Sequence, residues 1–261
     1  MTYELRPLSF GELLDTGFRI FRNHFGLLFG LAAVVYVPVA LIQVIMQALT
    51  PVTPGVEPTG STAVLLVLAV SLIALALFLV VTWPIADAAI THAVGELYLG
   101  RQAAFGPSLR VGLSILMPMV GTSLLNILMV SGGLLLLVVP GVYLMFAYML
   151  VWQVMVIERV FGMQALRRSG SLMKGSKLRG LGVMVVYLLI ISVPSSLLTL
   201  ALHAYPTVAS LASVLVQTAG FAFLCTLSVV LYFDIRCRKE AFDLEHLANL
   251  VEQRAAIPAP A

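Results

Sequence analysis

Charge is what this sequence has least of. Asp, Glu, Lys and Arg together make up 10% of it, against roughly 25% in soluble globular domains. Hydrophobic residues make up 61%, more apolar surface than a water-soluble globule of 261 residues can hide. Cysteine is also scarce. Cys225 and Cys237 cannot form a disulfide framework, and neither a Cys-x-x-Cys pair nor a His/Cys cluster with metal-ligand spacing occurs, so no metal or cofactor is expected. The phosphate-loop and dinucleotide fingerprints are missing, and no nucleophile, base and orienting residue assemble into a hydrolase motif. These absences favour a protein that is not an enzyme. Glu4, Arg6, Glu12 and Asp15 precede the first apolar run, and no small-residue cleavage site follows, so no cleaved signal peptide is expected.

What the sequence does contain is long apolar runs, at about 25–49, 63–92, 113–130, 134–157, 181–201 and 208–233. Most reach the roughly 18–20 residues that a helix needs to cross about 30 Å of hydrocarbon. Continuous apolarity, rather than alternation over about ten residues, favours helices over a barrel. The expected fold is all-α: a single transmembrane domain of six helices over residues 1–254, followed by a frayed tail over 255–261. The connections read as a loop at Thr50 to Gly55, a polar interlude from Leu99 to Arg110, a tight turn at Ser131-Gly132-Gly133 and another at His203 to Pro206. Pro84, near the end of the second run, denies the helix one hydrogen bond and is expected to bend it. Pro38, Pro118, Pro140 and Pro194 interrupt other runs, and Gly26 and Gly30 have a small-xxx-small spacing.

The fifteen Lys and Arg residues all fall on one side of this six-span arrangement. Arg6, Arg19 and Arg22 precede the first span, and Arg101 and Arg110 lie between the second and third. Arg159, Arg167, Arg168, Lys174, Lys177 and Arg179 lie between the fourth and fifth, and Arg236, Arg238, Lys239 and Arg254 follow the sixth. The opposite loops hold Glu57 and His203. By the positive-inside rule both termini are expected in the cytoplasm. The basic residues are thereby accounted for, and nucleic acid is not an expected partner.

Two basic segments also read as amphipathic helices. Ser9 and Glu12 have the spacing of a capping box, and Phe10, Leu13, Leu14, Gly17, Phe18, Phe21 and Phe25 recur at helical intervals opposite Glu12, Asp15, Arg19 and Arg22. This helix is expected to lie in the membrane interface or, alternatively, to cap the helix ends. Leu14 to Arg22 aligns weakly with Leu166 to Lys174, and the Phe105 to Gly112 region is a fainter third copy. The expected unit is an interfacial helix followed by a transmembrane hairpin, repeated three times. A further approximate apolar side, carried by Phe242, Leu244, Leu247, Leu250 and Val251, makes the tail from Asp234 to Glu252 a candidate helix.

Candidate functional residues fall into three groups. Arg19, Arg22, Arg167, Arg168, Lys174, Lys177 and Arg179 are expected to meet anionic phospholipid headgroups or a protein partner at the cytoplasmic face. Asp87, His92 and Glu96 form a candidate pathway or polar helix-end cluster; with about twenty residues spanning the core by Thr82, Asp87 is expected at the cytoplasmic interface. Glu158 with Arg159, and Asp234 with Arg236 and Arg238, are expected to pair as charges at helix ends. Trp83, Tyr143, Tyr148, Trp152 and Tyr232 read as interface anchors or packing residues.

Pro140-Gly141, Glu158, Ala165-Leu166-Arg167-Arg168-Ser169 with Leu172, Lys174 and Gly175, and Tyr232-Phe233-Asp234-Ile235-Arg236-Cys237-Arg238-Lys239-Glu240 occur in an order that carries a resemblance. The chain from Leu8 to about Leu247 resembles the bacterial glycerophosphoryl diester phosphodiesterase membrane domain and the related YciC-like membrane proteins. That resemblance implies a bacterial plasma-membrane protein. The family takes its name from proteins in which such a region is joined to a catalytic barrel, and no catalytic residue carries over to this sequence. The expected function is a membrane module that organises anionic lipid, a protein partner or a second copy of itself at the cytoplasmic face. The alternative is a transporter or channel for an ion, lipid or small molecule with Asp87 near its pathway, which requires a polar cavity between helices.

Overall fold

The computed structural model describes residues 6–49 and 61–242, and these are helical throughout apart from short connections. The helices are α1 (Phe10–Asn23), α2 (Phe25–Leu49), α3 (Ser61–Leu77), α4 (Trp83–Tyr98), α5 (Phe105–Ser114), α6 (Leu116–Leu136), α7 (Val138–Ala147), α8 (Val151–Gln153), α9 (Met163–Met173), α10 (Lys177–Ala201) and α11 (Pro206–Glu240). Two π-helical turns join this series, Phe78–Thr82 between α3 and α4 and Val154–Glu158 after α8. Six helical stretches among the described residues are long and apolar enough to cross a membrane, so the chain is a polytopic all-α membrane bundle. The expected loop at Thr50 to Gly55, the tail helix beyond Phe242 and the frayed end at 255–261 lie outside the described residues.

The spans begin and end differently from the apolar runs. The second extends from Ser61 to Tyr98, because α4 continues past His92 with Ala93, Val94, Leu97 and Tyr98 buried. Pro84 lacks an N–H and crowds the preceding turn, and the π turn at Phe78–Thr82 accommodates that defect. The tight turn expected at Ser131 to Gly133 is absent: α6 runs through both glycines and the chain breaks at Leu137, which is extended. Pro140 accounts for the shift. At the third position of α7 it needs no intrahelical N–H, so a new helix starts two residues before it. Gly132 is not where the chain reverses, and Gly133 serves instead for close approach. A Cβ on Gly133 would lie 3.1 Å from Gly141 Cα, and one on Gly141 would lie 2.6 Å from Leu134 N.

The polar interlude is itself largely helical. α5 runs antiparallel along α4, with Ser108 beside His92 and Gly112 so close to the turn at Ile85 that a Cβ there would lie 2.6 Å from the Ile85 carbonyl oxygen. α10 starts at Lys177, four residues before the expected span, and α11 continues to Glu240, where Ala241 in left-handed conformation ends it.

α11 is the central helix, with 72% of its apolar window buried, whereas the windows of the second and fifth spans are 0% and 6% buried. At 35 residues α11 is about 52 Å long, well beyond the hydrocarbon thickness. Its charged end is wrapped by α1, α4 and α9, and Leu13, Ile20, Tyr98, Leu166, Met173 and Phe233 are buried there. Away from that end the spans separate, and Leu65, Leu72, Leu135, Val139, Leu197 and Leu200 are exposed where a bilayer would cover them.

α1 has the expected capping box. Ser9 Oγ accepts from Glu12 N–H at 3.3 Å, and Glu12 Oε2 accepts from Ser9 N–H at 2.7 Å. It does not lie flat across the helix ends. Leu8 meets Asp234, Gly17 packs on Leu227, and Phe21 meets Phe223 edge-on at 5.5 Å, so α1 descends antiparallel along about 16 Å of α11.

Candidate functional site: an apolar cavity with buried polar groups

The sequence-derived charges are used in two ion-pair networks at the charged end of the bundle. In the first, the Glu158 carboxylate accepts from Arg168 Nε at 2.7 Å and Nη2 at 2.9 Å, and from the Tyr232 hydroxyl at 2.7 Å. The same guanidinium reaches Glu240, which also accepts from Arg236 Nε at 3.0 Å. The Glu240 and Glu158 carboxylates hold the Arg168 guanidinium above its ordinary pKa. In the second, the fully buried Asp234 accepts from Leu8 N–H at 2.7 Å, from Arg179, and from Arg238 Nε at 3.0 and 3.2 Å. Both arginines also donate to the Leu8 carbonyl. Lys239 donates to the Ser171 carbonyl at 2.8 Å and to that of Lys174, closing the C-terminal end of α9.

These contacts revise several expected roles. Glu158 does not pair with Arg159: neighbours in sequence do not share a helix face, and Arg159 is exposed in left-handed conformation at φ 57°. Asp234 pairs with Arg238 and Arg179, and Arg236 belongs to the other network. Arg168 and Arg179 hold carboxylates rather than facing outward. Arg19 pairs with Asp15, and Lys177 lies over the Tyr143 ring. Arg22, Arg167 and Lys174 are exposed with no side-chain partner among the described residues.

Asp87, His92 and Glu96 do not converge. His92 Nδ1 lies 3.4 Å from Ser108 Oγ, Glu96 pairs with Arg101 at 3.3 Å, and Asp87 turns toward α11. No group of three or more His, Cys, Asp or Glu able to hold a metal occurs among the described residues. Asp87 is 5% exposed; its Oδ1 accepts from the Cys225 thiol at 3.1 Å, and its Oδ2 has no partner among the described residues.

Asp87 lines a cavity of about 400 Å³ between α4, α6, α7, α8, α10 and α11. This is within the roughly 300–1,000 Å³ of small-molecule sites. Gln153, 2% exposed, and Asn126 also line it, and Gln153 Oε1 and Asn126 Oδ1 are likewise buried without a partner. Trp83, Tyr148, Trp152 and Phe221 supply aromatic walls. Ile127, Leu134 and Met145 line it too and are exposed on the outside of the bundle, so the cavity opens through apolar residues. The two π turns flank it, one just before Trp83 and the other just after Gln153. π turns of this kind recur at functional sites.

Reading by composition singled out Asp87 but missed Gln153, Asn126, Cys225 and Ser228. Asn126 and Gln153 are polar residues inside apolar runs, a signal as visible as that of Asp87. No family model, curated protein or solved structure matches the chain.

Proposed function

We propose that the protein is a non-enzymatic carrier or binding protein that admits an amphiphilic molecule laterally, from the bilayer, into the cavity around Asp87. The observation that carries this reading is the coincidence of buried, unpartnered polar atoms with an apolar opening in one cavity. Buried polar groups without partners cost roughly 1–3 kcal/mol each, a cost that a ligand presenting complementary groups would remove. An entrance lined by Ile127, Leu134 and Met145 favours arrival from lipid over arrival from water.

The one-sided basic residues support a cytoplasmic location for both termini, and the resemblance supports a bacterial plasma membrane. The succession of α1, α5 and α9, each ahead of a pair of spans, supports the threefold repeat. Kinship with the glycerophosphoryl diester phosphodiesterase membrane domain is part of the proposal and rests on the sequence motifs.

Trp83 and Trp152 are the two tryptophans of the sequence, and both line the cavity. Intrinsic fluorescence of the protein in nanodiscs therefore reports occupancy. Titration with dodecanol brominated near its head should give a saturable component of quenching, and Ser228→Phe, which puts a ring into the cavity, should diminish that component relative to the linear one from the bulk bilayer. Identical linear quenching in both proteins refutes the reading.

A second reading, organisation of anionic lipid at the basic face, is favoured by the exposed and unpartnered Arg22, Arg167 and Lys174. Reversing these three charges should lower phosphatidylglycerol retention in mixed-lipid nanodiscs. Unchanged retention counts against it.

A further inference from the structure

The walls of the cavity restrict the head group of its ligand. This step rests on the preceding reading and narrows it. The unpartnered atoms, Asp87 Oδ2, Gln153 Oε1 and Asn126 Oδ1, are all oxygens, and none of the lining residues is Lys, Arg or His. The side-chain amides of Gln153 and Asn126 can turn over and offer N–H instead, but an ionised carboxylate can only accept. Asp87 therefore sets the requirement.

Buried here, the Asp87 carboxylate takes up a proton unless a cation sits beside it, and the lining supplies no cation, so a ligand that keeps it ionised has to bring the positive charge. An anionic head would add a second uncompensated charge. A hydroxyl supplies one donor and no charge. A bare metal ion would find one carboxylate and no cluster of anionic or imidazole ligands among the described residues. A primary ammonium brings a positive charge and three N–H donors, and the lining offers it the Asp87 carboxylate, the Gln153 and Asn126 amides, and the aromatic rings of Trp83, Trp152 and Phe221, a residue type that attracts cations. An alkyl chain on that ammonium would leave past Ile127, Leu134 and Met145 into the hydrocarbon.

We propose that the cavity selects a single-chain amphiphile with a primary ammonium head, with Asp87 as its counter-ion and Gln153 and Asn126 as neutral acceptors. The test uses the full chain in nanodiscs of zwitterionic lipid, which minimises non-specific adsorption of cations. Four dodecyl compounds brominated near the head serve as quenchers of Trp83 and Trp152: the primary amine, the trimethylammonium, the alcohol and the carboxylate.

In the native protein the amine should reach half-saturation at a concentration at least tenfold below the other three. Asp87→Asn should weaken the amine roughly 10- to 100-fold, the worth of one charge-assisted hydrogen bond, and weaken the uncharged alcohol by much less. Gln153→Met should weaken the amine several-fold while Asp87 is intact. Equal saturable quenching by all four compounds overturns the ammonium selectivity but leaves lateral amphiphile binding standing. Equal affinity for the amine and the trimethylammonium refutes the role of N–H donors. Saturation by none of the four overturns both readings, and the comparison on the native protein decides this even if a variant does not fold.

Discussion

The Asp234 clasp offers a quantitative test of how the bundle is held together. Its carboxylate is fully buried and is satisfied by the Leu8 N–H, Arg179 and Arg238. Arg179→Ala or Arg238→Ala removes one guanidinium and leaves the other as counter-ion, so each single change should cost about 1.5–3 kcal/mol, the range for a hydrogen bond to a charged group. The double variant strips the carboxylate of all positive charge and leaves the Leu8 carbonyl without either donor. Breaking a buried pair outright costs roughly 3–5 kcal/mol, and the second loss should exceed the first. The double variant should therefore be destabilised beyond the sum of the singles by roughly 0.5–3 kcal/mol, the range for residues sharing one network. Adding Asp234→Asn to it should recover stability, because a neutral amide needs no counter-charge. Unfolding in mixed micelles of rising dodecyl sulfate, followed through Trp83 and Trp152, measures the three steps. Hydrogen exchange over residues 6–14 locates the effect at Leu8 and the start of α1. Strict additivity, no recovery with Asp234→Asn and native exchange in the double variant would together refute the clasp.

The first network makes a parallel prediction: Arg168→Ala should be much more destabilising in dodecyl sulfate unfolding than Arg167→Ala, since Arg168 bridges Glu158 and Glu240 while Arg167 is exposed. Gly141→Val should force α6 and α7 apart at the Leu134 backbone and lower the midpoint of thermal unfolding, with overpacking of this kind costing about 1–3 kcal/mol; Gly132→Val, at a position with nothing within 4 Å, should change it little. The capping box gives a pH dependence. Hydrogen bonds from the Ser9 backbone and side chain, with a further one from Arg6, hold the Glu12 pKa down to about 2. Its contribution to α1 is therefore complete above the ordinary carboxylate range and is lost as pH falls from about 4.5 through about 2. Exchange of the α1 amides should rise across that window in the native protein and show no such step in Glu12→Gln.

The spans were legible because crossing hydrocarbon requires long apolar runs, and the one-sided basic residues separated them into six. Ser9 and Glu12 likewise announce their cap, since both partners lie within one turn. Contacts between distant residues left no such mark. Asp87 meets Cys225 across 138 positions, and Asp234 meets Leu8 across 226, so neither pairing has a local pattern. Local charge was also misleading: Arg159 stands beside Glu158 in sequence, but the end of the π turn directs the chain away and Arg168 takes the carboxylate. The connection between α6 and α7 was misplaced for a related reason. Glycines that suit a turn in water can equally permit close helix contact in a membrane, and Pro140, not Gly132, decided where the chain reversed.

The antiparallel pairing of α1 with α11 has a consequence for how the chain is made. Gly17 leaves the ribosome 210 residues ahead of its contact Leu227, and at about 5–20 residues per second this is an interval of roughly 10–40 s. Throughout that interval Leu13, Gly17 and Ile20, all buried in the finished protein, lack α11, the helix on which α1 chiefly packs. The surface of the membrane is the natural place for such an amphipathic segment to wait. Synthesis of the last span would then lift α1 from that surface and lock it through Leu8, so that the first helix made is among the last to dock.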